Sequence, residues 1–218
     1  MAPRNDSLSG PDFDYETSLM RTHGGPVAGI DEAGRGPWAG PVVAGAVILD
    51  AGNIPAGLND SKVLSEQKRE ELFEKIMETA VVGVGIADVD RIDTDNILQA
   101  TFWAMTQACE ALDTRPAAAL IDGNRCPKGL PCPAHPLIRG DALSLSIAAA
   151  SIIAKVTRDR IMRDLSQAHP AYGWGRNKGY GTREHSSALQ AHGVTEHHRR
   201  SFKPIRALLE RDTKVPVS

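Results

Sequence analysis

The stretch 27-VAGIDEAGRGPWAGPVVAGAVILD-50 sets two adjacent carboxylates, Asp31 and Glu32, at the end of an apolar run. Glycine, arginine and proline follow at once, and a second apolar run, 41-PVVAGAVIL-49, comes next. The pattern predicts two strands joined by a glycine-rich turn. Side chains alternate along a strand, so one of the two acids faces the interior unless the chain turns there. An unpaired charge is costly in such a place, so the pair needs a physical reason.

Working outward, Ser65 is placed to cap a helix over 65–79, with Leu72, Phe73, Ile76 and Met77 on one face. A third strand follows at 81-VVGVGIAD-88. Leu98, Phe102, Met105, Cys109 and Leu112 recur at helical spacing over 95–112, which predicts an apolar core stripe. The run 117-AAALID-122 predicts a buried fourth strand that ends, like the first, in an acid. A long helix is expected over 144–165, where Ala148, Ala149, Ala150 and Ser151 permit close packing on the sheet. Residues 170–181 form a glycine- and aromatic-rich loop, with short helices expected near 183–192 and 203–211. These elements predict an α/β fold with a sheet of mixed direction. Residues 1–26 are expected to be a flexible polar lead-in, 27–165 the core, and 166–218 a C-terminal helical region and tail.

The 218 residues are 41% hydrophobic and 24% charged, a globular composition. No stretch approaches the roughly 18 apolar residues of a membrane span, and the N-terminus lacks an apolar signal region. No membrane association and a cytoplasmic location are therefore expected. Three cysteines without framework spacing suit a reducing compartment. Cys126, Cys132 and His135 lack a fourth zinc ligand nearby, so 126–135 is expected as a proline-stiffened surface loop. The formal charge of −2 hides an asymmetry. Residues 1–138 carry 11 Lys/Arg against 20 Asp/Glu, a net of −9, whereas 139–206 carry 12 against 5, a net of +7. A basic segment on an acidic chain can present a phosphate-binding face.

Asp31, Glu32 and Asp122 share one setting, the end of an apolar strand. Gathered carboxylates raise one another's pKa unless something positive lies between them, and a hard divalent cation does this with oxygen ligands. That chemistry points to Mg²⁺ or Mn²⁺, two of which stabilise both the attacking and the leaving oxygen in phosphodiester hydrolysis. A further ligand is expected after the fourth strand, where Asp141 and Asp159 are both candidates. Gly34, Gly36 and Gly40 either make a tight turn or let a polynucleotide approach the main chain. GRGPWAG does not fit the dinucleotide fingerprint G-x-G-x-x-G, and there is no Walker A sequence.

The string 30-IDEAGRGPWAGPVVAGAVIL-49 resembles the signature of ribonuclease HII, the bacterial type 2 ribonuclease H. The blocks 58-LNDSKVLSEQKRE-70, 120-LIDGNRCP-127, 139-RGD-141, 146-SIAAASIIAKVTRD-159, 169-HPAYGWGRNKGYGT-182, 185-HSSAL-189 and 197-HHRRSFKP-204 fit the same family in order. The resemblance implies a ribonuclease H-like fold, with a mixed central sheet flanked by helices and a C-terminal helical region. It implies a two-metal site, with Mn²⁺ or Mg²⁺ held by Asp31, Glu32, Asp122 and Asp141, and it leaves Asp159 out. Gly34, Arg35 and Gly36 are implied to read a ribonucleotide 2′-hydroxyl, and Tyr180 to pack on the following deoxyribose. Asn177, Lys178 and Lys62 are implied to meet duplex phosphates.

The activity implied is endonucleolytic cleavage of the RNA strand of RNA–DNA hybrids and of DNA duplex containing ribonucleotides. Cleavage on the 5′ side of the ribonucleotide would leave a 3′-hydroxyl and a 5′-phosphate. A monomer is expected, and no sliding-clamp motif closes the chain. Trp38 stands where a smaller apolar residue is common in the family. The rivals are a related metal-dependent nuclease indifferent to the 2′-hydroxyl and a non-catalytic hybrid-binding protein.

Overall fold

The computed structural model of the chain describes residues 10–212. The four expected strands form, as β1 (Val27–Ala33), β2 (Val42–Ile48), β3 (Val81–Ala87) and β4 (Ala118–Asp122). A fifth, β5 (Ala134–Leu137), begins at the end of the 126–135 segment expected to be loop. The sheet order is β3-β2-β1-β4-β5. β1–β2 and β2–β3 pair antiparallel, whereas β4 runs parallel to both β1 and β5. The mixed direction follows from chain order: short turns join β1 to β2, and a helical crossover brings β4 back beside β1. β5 escapes the sequence pattern because it is four residues long and contains Pro136, which an edge strand tolerates.

Helix α2 (Glu66–Thr79) starts at the expected cap, where Ser65 Oγ accepts from Lys68 N at 3.2 Å. Leu72 and Ile76 are buried, but Met77 is exposed and Phe73 lies partly buried beneath the Arg160 guanidinium. The predicted helix over 95–112 forms as α4 (Ile97–Glu110), and a separate short helix, α3 (Val89–Asp95), precedes it. Asn96 breaks them apart at φ 68°, and its side chain caps α4. The buried face of α4 is also rotated from the expected stripe. It carries Ala100, Thr101, Ala104, Met105, Ala108 and Cys109, while Leu98 and Phe102 sit at its edge. The cause is on β3: a Cβ on Gly83 or Gly85 would lie 2.1 or 2.0 Å from the carbonyl oxygens of Ala108 and Ala104. Bare glycines let the helix backbone rest on the sheet, so alanines and not the large residues mark the contact.

The opposite face is covered by α2 and by α5 (Leu145–Ala168), whose Ala148, Ala149 and Ala150 are fully buried against β2. The close packing expected of that small-residue run is found. Beyond α5, α6 (Trp174–Asn177), α7 (Arg183–His192) and α8 (Lys203–Asp212) enclose a separate cluster around Trp174, Tyr172, Leu189 and Ile205.

The N-terminal lead-in departs from expectation. Asp14–His23 is a helix, α1, and Glu16 within it is fully buried. Glu16 Oε1 accepts from Ser144 Oγ at 2.6 Å and Ser146 N at 2.8 Å, so α1 closes the N-terminus of α5. A carboxylate is favourable there because the amides at a helix start lack partners. Composition hid this role, since a single acid in a polar segment carries no signal of its partner 128 residues away. Residues 1–9 and 213–218 of the expected lead-in and tail lie outside the described residues.

Candidate metal centre and the adjoining turn

The parallel pairing of β1 and β4 places their C-terminal ends side by side, and with them Asp31 and Asp122. Asp141 arrives from a 3-10 turn, Gly140–Ala142, between β5 and α5. Gly140 N donates to Asp122 Oδ1 at 2.7 Å, which fixes that turn against the end of β4. Ligand oxygens of Asp31, Asp122 and Asp141 all lie within 4.8 Å of one another. Glu32 lies outside that tightest set and pairs with Arg35 at 3.4 Å. Asp159 is apart from the cluster, paired with Lys155 at 2.7 Å.

The electrostatics of the cluster are unfavourable as it stands. Burial pushes the Asp31 carboxyl well above the usual range, and Glu32, Asp122 and Asp141 add to the rise. Asp122 is raised by burial and then by Asp141. Glu32 is raised by burial and by Asp122, with Arg35 and Lys62 opposing. The Lys62 ammonium sits 3.2 Å from Asp141 Oδ2 and 3.8 Å from Asp60 Oδ1. Its own pKa is raised: partial burial acts downward, but Asp141 and Asp60 prevail. Two exposed cations, Lys62 and Arg35, do not balance the four acids, whose oxygen-only donor set suits a hard divalent cation. The residues present therefore fit Mg²⁺ or Mn²⁺.

The turn after β1 is built differently. Gly34 takes φ 97°, and a Cβ there would lie 2.0 Å from Arg158 Nε. The carbonyls of this segment converge on two buried guanidinium groups. Arg158 donates to Pro41 O at 2.9 Å, Ala39 O at 3.2 Å and Lys178 O at 3.0 Å. Arg199 donates to Gly34 O at 2.6 Å, Arg35 O at 3.0 Å, Gly40 O at 2.9 Å and Pro41 O at 3.1 Å. Burial lowers the Arg158 pKa to about 10 and, with Arg158 adjacent, that of Arg199 to about 9. Both remain charged at neutral pH. The planar, forked donor set of arginine matches several carbonyls at once in a way that lysine cannot.

Arg35 and Gly36 are exposed on this turn, with Tyr180 beside them: a Cβ on Gly36 would come 3.4 Å from Tyr180 Cε1. Tyr180 is itself 49% exposed. Its carbonyl meets His185 Nδ1 at 3.0 Å, and His185 Nε2 meets His198 Nε2 at 3.0 Å. Burial keeps both rings neutral; it lowers His185, and with His185 facing it His198 falls to about 4. Asn177 uses both ends of its amide within the loop, donating to Tyr172 O and accepting from Gly179 N. Lys178 holds φ 50°, which turns its carbonyl toward Arg158. Trp38 packs its ring over Gly181, where a Cβ would lie 2.1 Å from Cζ2.

Sequence reasoning missed Arg158, Arg199 and Glu16. The two arginines lay inside motif blocks, but nothing local announces that a guanidinium is buried.

The matched family model is ribonuclease HII, over residues 28–205. The ribonuclease HII of Magnetococcus marinus is 56% identical over 210 residues, covering 94% of this chain and 99% of that protein. Among solved structures, the ribonuclease H2 of Pyrococcus horikoshii is similar with a TM-score of 0.73 at 30% identity, covering 87% of this chain and all of that one. Bst-RNase HIII in complex with Mn²⁺ shares the fold, with a TM-score of 0.63 at 21% identity, covering 87% of this chain and 71% of that one.

Proposed function

The chain belongs to the ribonuclease HII family, and on that premise we propose that the Asp31, Asp122 and Asp141 cluster is the hydrolytic centre of an endoribonuclease acting on RNA–DNA hybrids. The observation that carries this reading is the convergence of those three buried or half-buried acids within 4.8 Å, next to a turn whose outer face is glycine and arginine. Asp31, Glu32, Asp122 and Asp141 would hold two divalent cations, Mn²⁺ or Mg²⁺. Such ions supply an activated water and stabilise the leaving oxygen.

The chain's own residues set the specificity. With the carbonyls of Gly34 and Arg35 occupied by Arg199, the exposed main chain of Gly36 is free to meet a 2′-hydroxyl. A substrate lacking that hydroxyl would cover those main-chain groups without giving them a partner and is disfavoured. The Tyr180 ring, beside Gly36, offers an apolar face to the next sugar. Lys62 adds positive charge at the lip of the acid cluster, and Lys178 and the 139–206 segment favour the duplex backbone. Asn177 is assigned to shaping the loop around Lys178, since its amide is engaged there. Residues 27–165 are assigned as the catalytic core and 166–218 as the substrate-binding region. Cleavage on the 5′ side of a ribonucleotide embedded in DNA would leave a 3′-hydroxyl and a 5′-phosphate, a role in removing misincorporated ribonucleotides. No helix among the described residues is long and apolar enough to cross a membrane.

The test is a DNA duplex carrying one ribonucleotide, incubated with Mg²⁺ or Mn²⁺ beside an all-DNA duplex. Cutting of the first alone is expected; an intact first duplex, or cutting of both, contradicts the proposal.

A further inference from the structure

A second cluster of ligand-bearing side chains stands outside the acid site. His169 caps the C-terminus of α5, and Glu196 and His197 lie in the segment between α7 and α8. One ligand atom from each lies within 4.8 Å of the others. The His169 and His197 rings meet edge to face, centroids 5.0 Å apart at 75°, and His197 Nε2 is 3.7 Å from Glu196 Oε1. We propose that His169, His197 and Glu196 form a binding site for one zinc-class divalent cation, separate from the carboxylate centre.

The donor set decides the class of ion. Two imidazoles and one carboxylate favour Zn²⁺, and also Co²⁺ or Ni²⁺, over the hard cations suited to an all-oxygen site. Tetrahedral zinc with bonds of about 2.0–2.1 Å needs its ligand atoms somewhat closer than 4.8 Å, a change within reach of side-chain rotation. The backbone beneath them is already fixed. His169 N donates to Leu165 O at 2.9 Å, and His197 O accepts from Gly40 N at 2.9 Å. Both rings rest against Trp174, His169 tilted at 5.5 Å and His197 edge to face at 6.0 Å. The neighbouring His185 and His198 do not compete as ligands, because they are buried and bonded to one another.

Three protein ligands leave a coordination position open. Glu196 and His197 also line a groove of about 370 Å³ in which Asp88 and Asp90 add carboxylates, so water and cations can reach the site. A bound ion would tie the end of α5 to the segment that carries Arg199 two residues further on. Its effect would therefore be felt in the Gly34–Pro41 turn as added rigidity, with no part in bond cleavage.

The test is calorimetric titration of zinc chloride into metal-free full-length protein carrying Asp31→Asn and Asp122→Asn, which silence the carboxylate centre. One equivalent should bind with a Kd of about 10 µM or lower, weaker than closed four-ligand zinc sites. His197→Gln should weaken binding by more than about 100-fold, the upper end of what losing a mere supporting partner costs. Glu196→Gln, at an exposed position with no call on folding, should also weaken it measurably. Absence of stoichiometric binding overturns the proposal, as does binding that survives both substitutions.

Discussion

Asp31 and Gly34 are three residues apart, yet the fold handles their surroundings in opposite ways. Around Asp31 the charge is negative, clustered and unbalanced, and Asp31, Glu32 and Asp122 each have raised pKa values. Around Gly34 the charge is positive, and both guanidinium groups are satisfied by main-chain carbonyls. The first region stores an electrostatic deficit that a divalent cation would relieve. The second has spent its charge on holding a turn in shape. A buried charge in this molecule thus marks chemistry where like charges gather with too few cations, and architecture where the main chain satisfies it.

The contrast can be broken most forcefully at Arg199. Arg199→Ala strips the donors from Gly34, Arg35 and Gly40 carbonyls at once. A loss of about 3 kcal/mol or more in urea unfolding is expected, since several buried carbonyls lose their donors together at roughly 1–3 kcal/mol each. Arg199→Lys should recover only part of it, because an ammonium cannot span the same carbonyls. At the acid site the expected outcome is reversed. Asp122→Asn should lower hybrid cleavage by more than about 100-fold, while hybrid binding measured without divalent ions stays within a few-fold. Asparagine keeps the acceptor for Gly140 N, so the 3-10 turn survives.

A smaller effect is expected at Gly34→Ala, where φ 97° and the nearby Arg158 side chain both disfavour a Cβ. Stability should fall by about 1–3 kcal/mol. The ratio of cleavage on ribonucleotide-containing to all-DNA duplex should fall with it, as a gel assay of both substrates would show. An unchanged ratio would mean that the turn is architecture alone.

The sequence made the acid site more legible than the turn. Strand-terminal acids after apolar runs announce themselves, because an acid in such a place is unusual, while the choice between Asp141 and Asp159 came from the family resemblance of the 139–141 block. The four long strands and α5 were equally plain from their apolar runs. Arg158 and Arg199 were not, since their partners are carbonyls, which every residue has. The α4 stripe misled for a related reason: glycines on β3, which have no side chain, decide which helix face is buried. Glu16 and β5 were hidden by distance along the chain and by brevity.

The most direct test compares metal-free Asp31→Asn with the parent protein by calorimetry between pH 5 and pH 8. Because burial raises the Asp31 pKa, between the unfolded and folded pKa values the folded protein holds a proton that the unfolded chain has lost. Stability from this group is therefore present at low pH and is lost as pH rises through the folded pKa. The account predicts that Asp31→Asn melts higher than the parent at pH 7, that its advantage shrinks toward pH 5, and that, unlike the parent, it does not cleave hybrid once Mg²⁺ or Mn²⁺ is added. A variant that melts lower than the parent at pH 7 would show that Asp31 holds the fold together, and would contradict the account.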